Sequence, residues 1–274
     1  MTDKLTFQKH VLEGFWVGRS PNSGGALVKP TLLVIHYTAS GGATGKGDAD
    51  FFLRPQAKAS AHFVVGRSGD IAQVVECNRR AWHAGVSSWK GRGNCNDFSI
   101  GIEVDNWGWL SKKASGTFTS YTGAVIPADE VVESRHKNKG CPYQYWEEYP
   151  YEQIQSVIAL AKAILAAYPS ITDIVGHEDI APGRKIDPGP AFPWTHFRAQ
   201  VEGNEDDPIK TKRVNASKLN VRGGPGTNFD VVGTIGHGAI VFMETTQDEW
   251  SKITFTTWLG LLKEGWVYSS YLGD

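Results

Sequence analysis

The sequence predicts an α/β domain followed by a small all-β barrel, and three observations carry that expectation. Strand-like runs alternate with one strongly periodic helix across residues 1–202. A polar, charge-rich stretch at 203–213, GNEDDPIKTKR, then reads as a linker. Beyond it, residues 214–274 hold only short β-type runs separated by glycine turns, the pattern of a small barrel.

Thr31–Tyr37 (TLLVIHY) is an aliphatic and β-branched run between Pro30 and Ser40-Gly41-Gly42, and reads as a buried strand. His62–Val65 and Ile71–Val75, joined across Arg67-Ser68-Gly69-Asp70, read as a hairpin with a glycine turn. In Phe98–Val104 the alternation puts Phe98, Ile100, Ile102 and Val104 on one face and Ser99, Gly101 and Glu103 on the other. Ile154, Val157, Ile158, Ala161, Ile164 and Leu165 recur at helical spacing within Tyr151–Tyr168, and Pro169 ends that helix. Ile171–Gly176 returns as a strand leading directly into His177. Strands interleaved with helices are α/β in class. Residues 107–150 fit neither period and read as a long aromatic excursion, with Trp107, Trp109, Tyr121, Tyr143, Tyr145, Trp146 and Tyr149. In the last segment LNVRGGPG, VVGTI, AIVFM, WSKITF and GWVYSSYL are the strand candidates.

Composition narrows the function. Of 274 residues, 41% are hydrophobic and 21% charged, enough for a sizeable core and more than one domain. A formal net charge of -1 gives no electrostatic footprint for nucleic acid. No run is apolar for long enough to span a membrane. The first residues, MTDKLTFQKHVLEGFWVGRS, lack the apolar core of a secretory signal, so the expectation is synthesis in the cytoplasm with any export by another route. Cys77, Cys95 and Cys141 are too scattered for a disulfide framework or a thiolate zinc site and read as free thiols. Ten tryptophans, nine tyrosines and twelve phenylalanines beside 31 glycines suit sugar stacking and an aromatic core equally.

Several motifs fail on inspection. Gly42-Ala43-Thr44-Gly45-Lys46-Gly47 lacks the spacing and the hydroxyl of a phosphate loop and reads as an ordinary loop. There is no G-x-S-x-G elbow and no H-E-x-x-H helix. What remains is histidines and acids at strand ends: His36 closes one strand, His177 another, and Asp187 follows in GHEDIAPGRKIDPGP. Two imidazoles and a carboxylate can fill three tetrahedral positions of zinc and leave the fourth for water. Spacing alone does not choose His36 and His177 over His62 or His83.

Four ordered blocks make that choice: VIHYTAS at 34–40, SAHFVVGRSGDI at 60–71, RAWHAGVSSWKGRGNCNDFSIGIEV at 80–104 and GHEDIAPGRKIDPGPAF at 176–192. Together they resemble the type 2 zinc N-acetylmuramoyl-L-alanine amidases, which share the peptidoglycan recognition protein fold. The resemblance covers roughly residues 10–200 apart from 107–150. It implies a mixed central sheet with flanking helices, and one zinc ion bound by His36, His177 and Asp187. It further implies Glu103 as general acid/base and Lys185 as a holder of the oxyanion. His83 and Asn96, with Trp82 and Tyr37 in the same blocks, become candidate substrate contacts, while His62 reads as structural. The excursion at 107–150 is expected to wall the groove, its tryptophans stacking on sugars. KLNVRGGPGTNFDVVGTIGHGAIVFM and GWVYSSYL resemble bacterial SH3-like domains, which implies binding to cell-wall peptides. The expected partner is therefore peptidoglycan, cut by a phage-type lysin or autolysin. The alternatives are an amidase that trims soluble muropeptides and a receptor without catalysis.

Overall fold

A computed structural model describes residues 5–42, 44–203, 211–257 and 262–273. The chain divides into two units, Met1–Phe192 and Pro193–Asp274. The first is built on a six-stranded sheet from β1 (Trp16–Val17), β2 (Leu32–Tyr37), β3 (Phe63–Val65), β4 (Ile71–Gln73) and β5 (Ser99–Val104). An insertion contributes β6 (Trp109–Lys112), β7 (Phe118–Thr119), β8 (Val125–Ile126), β9 (Val131–Glu133) and β10 (Tyr145–Glu147) before β11 (Asp173–Gly176) completes the main sheet. The main order is β11-β2-β5-β3-β4-β1. β2 runs parallel to β5 and β11, β5 parallel to β3, and β3 antiparallel to β4, so the sheet is mixed.

β2 lies between two parallel neighbours with both faces covered, which is why its sequence is continuously apolar rather than alternating. Leu32, Leu33, Val34 and Ile35 are all fully buried. In its register with β5, Glu103 pairs with His36 and Gly101 with Val34. In-register neighbours share a face, so His36, Ser99, Gly101 and Glu103 all project to the same side. That side carries the site.

Helix α1 (Gly45–Phe52) packs Ala49 and Phe52 with Val64, Ala72 and Val74. Its first turn occupies residues that read as a loop in the sequence. Thr44 supplies the reason, since its hydroxyl caps the Gly47 N–H at 3.1 Å and satisfies one orphan donor. Helix α2 (Tyr151–Ala167) buries Ile154, Val157, Ile158, Ala161 and Ile164 and packs on β3 and β5. The short α3 (His177–Ile180) starts where β11 ends.

The 107–150 excursion is a folded sheet of order β8-β7-β6-β10-β9. Leu110, Phe118 and Ile126 form its own small core, with Trp107, Val131 and Tyr145 against them. Its strands run only two to four residues, too short for period-two alternation to register in the sequence.

In the second unit, α4 (Trp194–Glu202) precedes β12 (Thr211–Val214), β13 (Lys218–Arg222), β14 (Val231–Gly236), β15 (Ile240–Gln247), β16 (Trp250–Thr256), β17 (Leu262–Tyr268) and β18 (Leu272–Gly273). The strands form one sheet of order β14-β13-β17-β16-β15-β12-β18 around Val214, Leu219, Val221, Ile235, Val241, Ile253, Phe255 and Val267. The His196 ring of α4 lies 4.9 Å from that of Phe242 on β15, which ties this helix to the barrel's unit. Of the linker expected at 203–213, residues 204–210 lie outside the described residues. Cys77, Cys95 and Cys141 are free thiols, the first two buried. Among the described residues no helix is long and apolar enough to cross a membrane.

Truncating Ile154, which is fully buried on α2, leaves a cavity beside the main sheet. Ile154→Ala is expected to cost about 2–5 kcal/mol in the first unit's transition of a urea melt, whereas a loss under about 0.5 kcal/mol is what a surface position would give.

Candidate metal centre

Three ligand atoms converge at the carboxyl ends of β2 and β11. His36 Nδ1 lies 2.9 Å from His177 Nδ1 and 3.1 Å from Asp187 Oδ2, and His177 Nδ1 lies 2.9 Å from the same oxygen. All three residues are buried, with 6% exposure or less. Among the described residues this is the one group of histidine, cysteine and acid side chains gathered as a metal site would require.

The partners behind the rings decide what those atoms can be. His177 Nε2 faces the Ala84 carbonyl at 3.0 Å, so Nε2 carries the proton and Nδ1 presents a lone pair. For His36 the same conclusion follows through a relay. The Ser99 hydroxyl donates to the Cys95 carbonyl at 2.6 Å, which leaves its oxygen to accept from His83 Nε2–H at 3.2 Å. His83 Nδ1 is then an acceptor, and His36 Nε2–H donates to it at 2.9 Å. His36 Nδ1 is therefore also a lone pair. Burial pushes the His36 pKa down to about 4, reinforced by neighbouring His177, so the ring is neutral at ordinary pH.

Two imidazole nitrogens and a carboxylate oxygen thus face one point. Three converging acceptors repel unless a cation sits among them. The separations approach the ~3.3 Å edge of a tetrahedron with metal–ligand bonds near 2.0–2.1 Å. The donor set, nitrogen, nitrogen and oxygen, suits zinc. Both histidines also show the outer-partner pattern that orients metal-ligating imidazoles.

Gly101 makes the relay possible. A Cβ there would sit 2.6 Å from His83 Nδ1, so only glycine lets the His83 ring lie on this face of the sheet. Asn96 holds the same loop from the other side, its Oδ1 accepting the N–H groups of His83 and Ala84 at 3.1 and 2.8 Å. His83 and Asn96, expected to touch substrate, thus take supporting positions, and His83 is only 8% exposed with both ring nitrogens engaged. Trp82 is 41% exposed on the same loop. Tyr37 is half-buried, its ring against Gly108, where any Cβ would collide with it. His62, fully buried, accepts from the Gly101 N–H and donates to the Arg79 carbonyl, a structural role.

Glu103 stands on the metal face of β5. Its Oε2 is buried without a hydrogen-bond partner in the structure. Burial pushes its carboxyl well above the usual range, the nearby Asp187 charge adds to this, and Lys185 opposes it. Lys185 belongs to the loop between the two later ligands and is tied there by its N–H to the Ala181 carbonyl at 3.0 Å. The Glu103 carboxyl and the Lys185 ammonium thus both act electrostatically on the cluster of His36, His177 and Asp187. That arrangement suits hydrolysis of an amide.

Residues 27–190 match the family described as N-acetylmuramoyl-L-alanine amidase. The chain belongs to that family. It is an enzyme that cuts the amide between N-acetylmuramic acid and L-alanine. Residues 217–273 match the bacterial SH3 domain family. Relatives of the amidase include the 1,6-anhydro-N-acetylmuramyl-L-alanine amidase AmpD of Salmonella typhimurium (strain SL1344), 38% identical over 190 residues that cover 63% of this chain and 81% of that protein. The N-acetylmuramoyl-L-alanine amidase AmiD of Escherichia coli (strain K12) is 33% identical over 211 residues, covering 74% of this chain and 63% of that one. Among solved structures, a selenomethionine AmpD crystal structure superposes with a TM-score of 0.52 at 31% identity, covering 71% of this chain and 98% of that one.

Sequence reasoning about the amidase missed the supporting set. Alternation already put Ser99 on the Glu103 face, but its bond to His83 had no signal in the sequence. Arg184 had no signal, yet its guanidinium donates to the carbonyls of Ala84 and Val86 at 2.7 and 2.8 Å and pins the ligand loop to the His83 loop.

Gly101→Ala is expected to displace the His83 ring and weaken metal binding by about 10–100-fold, with far-UV circular dichroism unchanged. Unaltered metal affinity, measured by competition with a chromophoric chelator, would show that His36 is held without His83.

Proposed function

We propose that this amidase is zinc-dependent and that His36, His177 and Asp187 hold the ion. The observation that carries this is the relay of outer hydrogen bonds, which turns two lone pairs and a carboxylate oxygen toward one point. Bound zinc supplies a Lewis acid for the scissile carbonyl and lowers the pKa of a water toward ~7. Glu103 accepts the proton of the attacking water and returns it to the departing amine of L-alanine. Its raised pKa suits both directions of transfer. Lys185, whose charge acts on both Glu103 and His36, stabilises the negative charge that develops on the carbonyl oxygen. In this reading Tyr37 and Trp82, the latter 41% exposed, border bound substrate.

The barrel at 214–274 docks on cell-wall peptide and raises the local concentration of polymer at the amidase unit. This favours intact peptidoglycan as substrate and the role of a lysin or autolysin that degrades cell wall. A second reading, an amidase for soluble anhydro-muropeptides, is favoured by the identity with AmpD, which covers 63% of this chain. Turnover by the full-length protein on purified sacculi and on soluble anhydro-muropeptide separates the two. Faster release of L-alanine amino termini from sacculi supports the lysin reading, and activity confined to the soluble substrate overturns it.

Glu103→Gln is expected to lower kcat by about 100–10,000-fold with zinc still bound, read by mass spectrometry of new ends and metal analysis. Chelation is expected to abolish cleavage, and zinc to restore it. Glu103 also sets a pH signature in the metal-free protein. A carboxyl whose folded pKa is raised stabilises the fold fully below its unfolded value and loses that contribution as pH rises through the folded value. Metal-free Glu103→Gln should therefore gain thermal stability over wild type as pH rises above the ordinary carboxylate range, and a gap that does not change with pH counts against the buried carboxyl.

A further inference from the structure

The insertion at 107–150 presents a face that the reaction as derived does not use. His136, only 7% exposed, directs Nε2 at both the Glu178 carboxylate and the Ile186 carbonyl, the latter at 3.1 Å. Its Nδ1 accepts the Asn138 N–H at 2.9 Å, so the proton is fixed on Nε2 and the ring donates toward Glu178. Lys137 Nζ reaches Glu178 Oε1 at 2.8 Å and Asp179 Oδ1 at 2.6 Å. Asn138 Nδ2 donates to the Lys185 carbonyl at 3.3 Å. Three consecutive residues of the insertion thus grip both ends of the segment 177–187, whose first and last residues are the ligands His177 and Asp187.

Glu178 is the pivot. It follows His177 directly and is 3% exposed, and its backbone N–H donates to the Asp187 carbonyl at 2.9 Å. Its side-chain partners in the structure, His136 and Lys137, both come from the insertion. A buried carboxylate stripped of such partners is strongly destabilised and relieves the cost by moving to water. On a four-residue helix the way out is rotation of the helix, which carries His177 with it. Behind this grip Trp146, fully buried, lies against Gly189, where a Cβ would meet its ring at 2.9 Å. The Tyr149 hydroxyl donates to the Pro188 carbonyl at 2.9 Å.

We propose that the insertion is a clamp on the metal loop, in which His136 and Lys137 act as positioning residues that hold Glu178 and thereby keep His177 and Asp187 at ligand spacing. The proposal rests on the zinc reading above and gives the insertion a task other than walling the groove. Its action is on retention of the metal rather than on the chemistry.

The experiment uses the full-length protein as wild type, His136→Leu, His136→Gln and Lys137→Met. Gln places an amide N–H near the position of Nε2–H, whereas Leu fills the space without a donor. Zinc dissociation constants come from chelator competition, and amide hydrogen exchange over 177–187 is followed in the metal-free proteins. His136→Leu is expected to bind zinc about 10–100-fold more weakly, His136→Gln within about threefold of wild type, and Lys137→Met between them. Exchange over 177–187 should quicken in His136→Leu and Lys137→Met, while β2 and β5 stay protected. Wild-type affinity and protection in all variants would overturn the clamp, as would equal losses in His136→Leu and His136→Gln, which would reduce His136 to packing. If His136→Leu does not fold, Lys137→Met decides, because it removes one ammonium from a half-exposed side chain. Failure of wild type itself to bind zinc would sink the zinc reading, and exchange in the metal-free variants would then judge the clamp separately.

Discussion

Two imidazole nitrogens and one carboxylate oxygen are forced into mutual contact at the ends of two buried parallel strands, and the surrounding structure is organised to keep them there. Such an arrangement does not form by itself, because like-charged or lone-pair-bearing atoms move apart when free to do so. Each ligand is therefore held from behind. The Ala84 carbonyl fixes the proton on one ring, and the chain from Cys95 through Ser99 and His83 fixes it on the other. The energetic return comes only when a cation neutralises the convergence. Rigidity of the scaffold is thus a condition of metal binding rather than a by-product of it.

The parallel pairing of β2 with β5 does most of the positioning. One register aligns Glu103 with His36 and Gly101 with Val34, so the carboxyl and the imidazole share a face without any loop between them. A slip of one residue would turn Glu103 into the opposite layer. The alternation of β5 opposes that slip, since it would put Ser99 and Glu103 into the layer now filled by Ile100 and Ile102. On the His36 face desolvation raises the pKa of the Glu103 carboxyl, and the nearby Asp187 charge adds to the shift.

The other two members of the cluster are placed differently. His177 and Asp187 lie on a loop that begins with a four-residue helix, too short to hold its own shape. Arg184 ties that loop to the His83 segment, and the insertion grips it from the opposite flank through residues 136–138. A sheet-borne ligand needs a register, and a loop-borne ligand needs ties to its neighbours.

The sequence by itself determined the main strands, the long helix and the candidate ligands, because those features rest on local periodicity and ordered motif blocks. Thr31–Tyr37, Phe98–Val104 and Tyr151–Tyr168 each appear within a residue or so of their observed limits. It also placed Glu103 on the face away from Ile100 and Ile102. Helix α1 was hidden because Gly45-Lys46-Gly47 carries poor propensity and is rescued by the Thr44 cap and by packing of Ala49 and Phe52. The insertion sheet was hidden because strands of two to four residues are stabilised by partners distant in sequence. Only the tertiary structure decided that His83 bonds His36, that Asn96 holds the His83 loop, and that His136 and Lys137 meet Glu178 across 42 and 41 positions. A hydrogen bond between distant residues leaves no trace in either residue's local pattern, since its geometry exists only once the sheet has brought the two segments together.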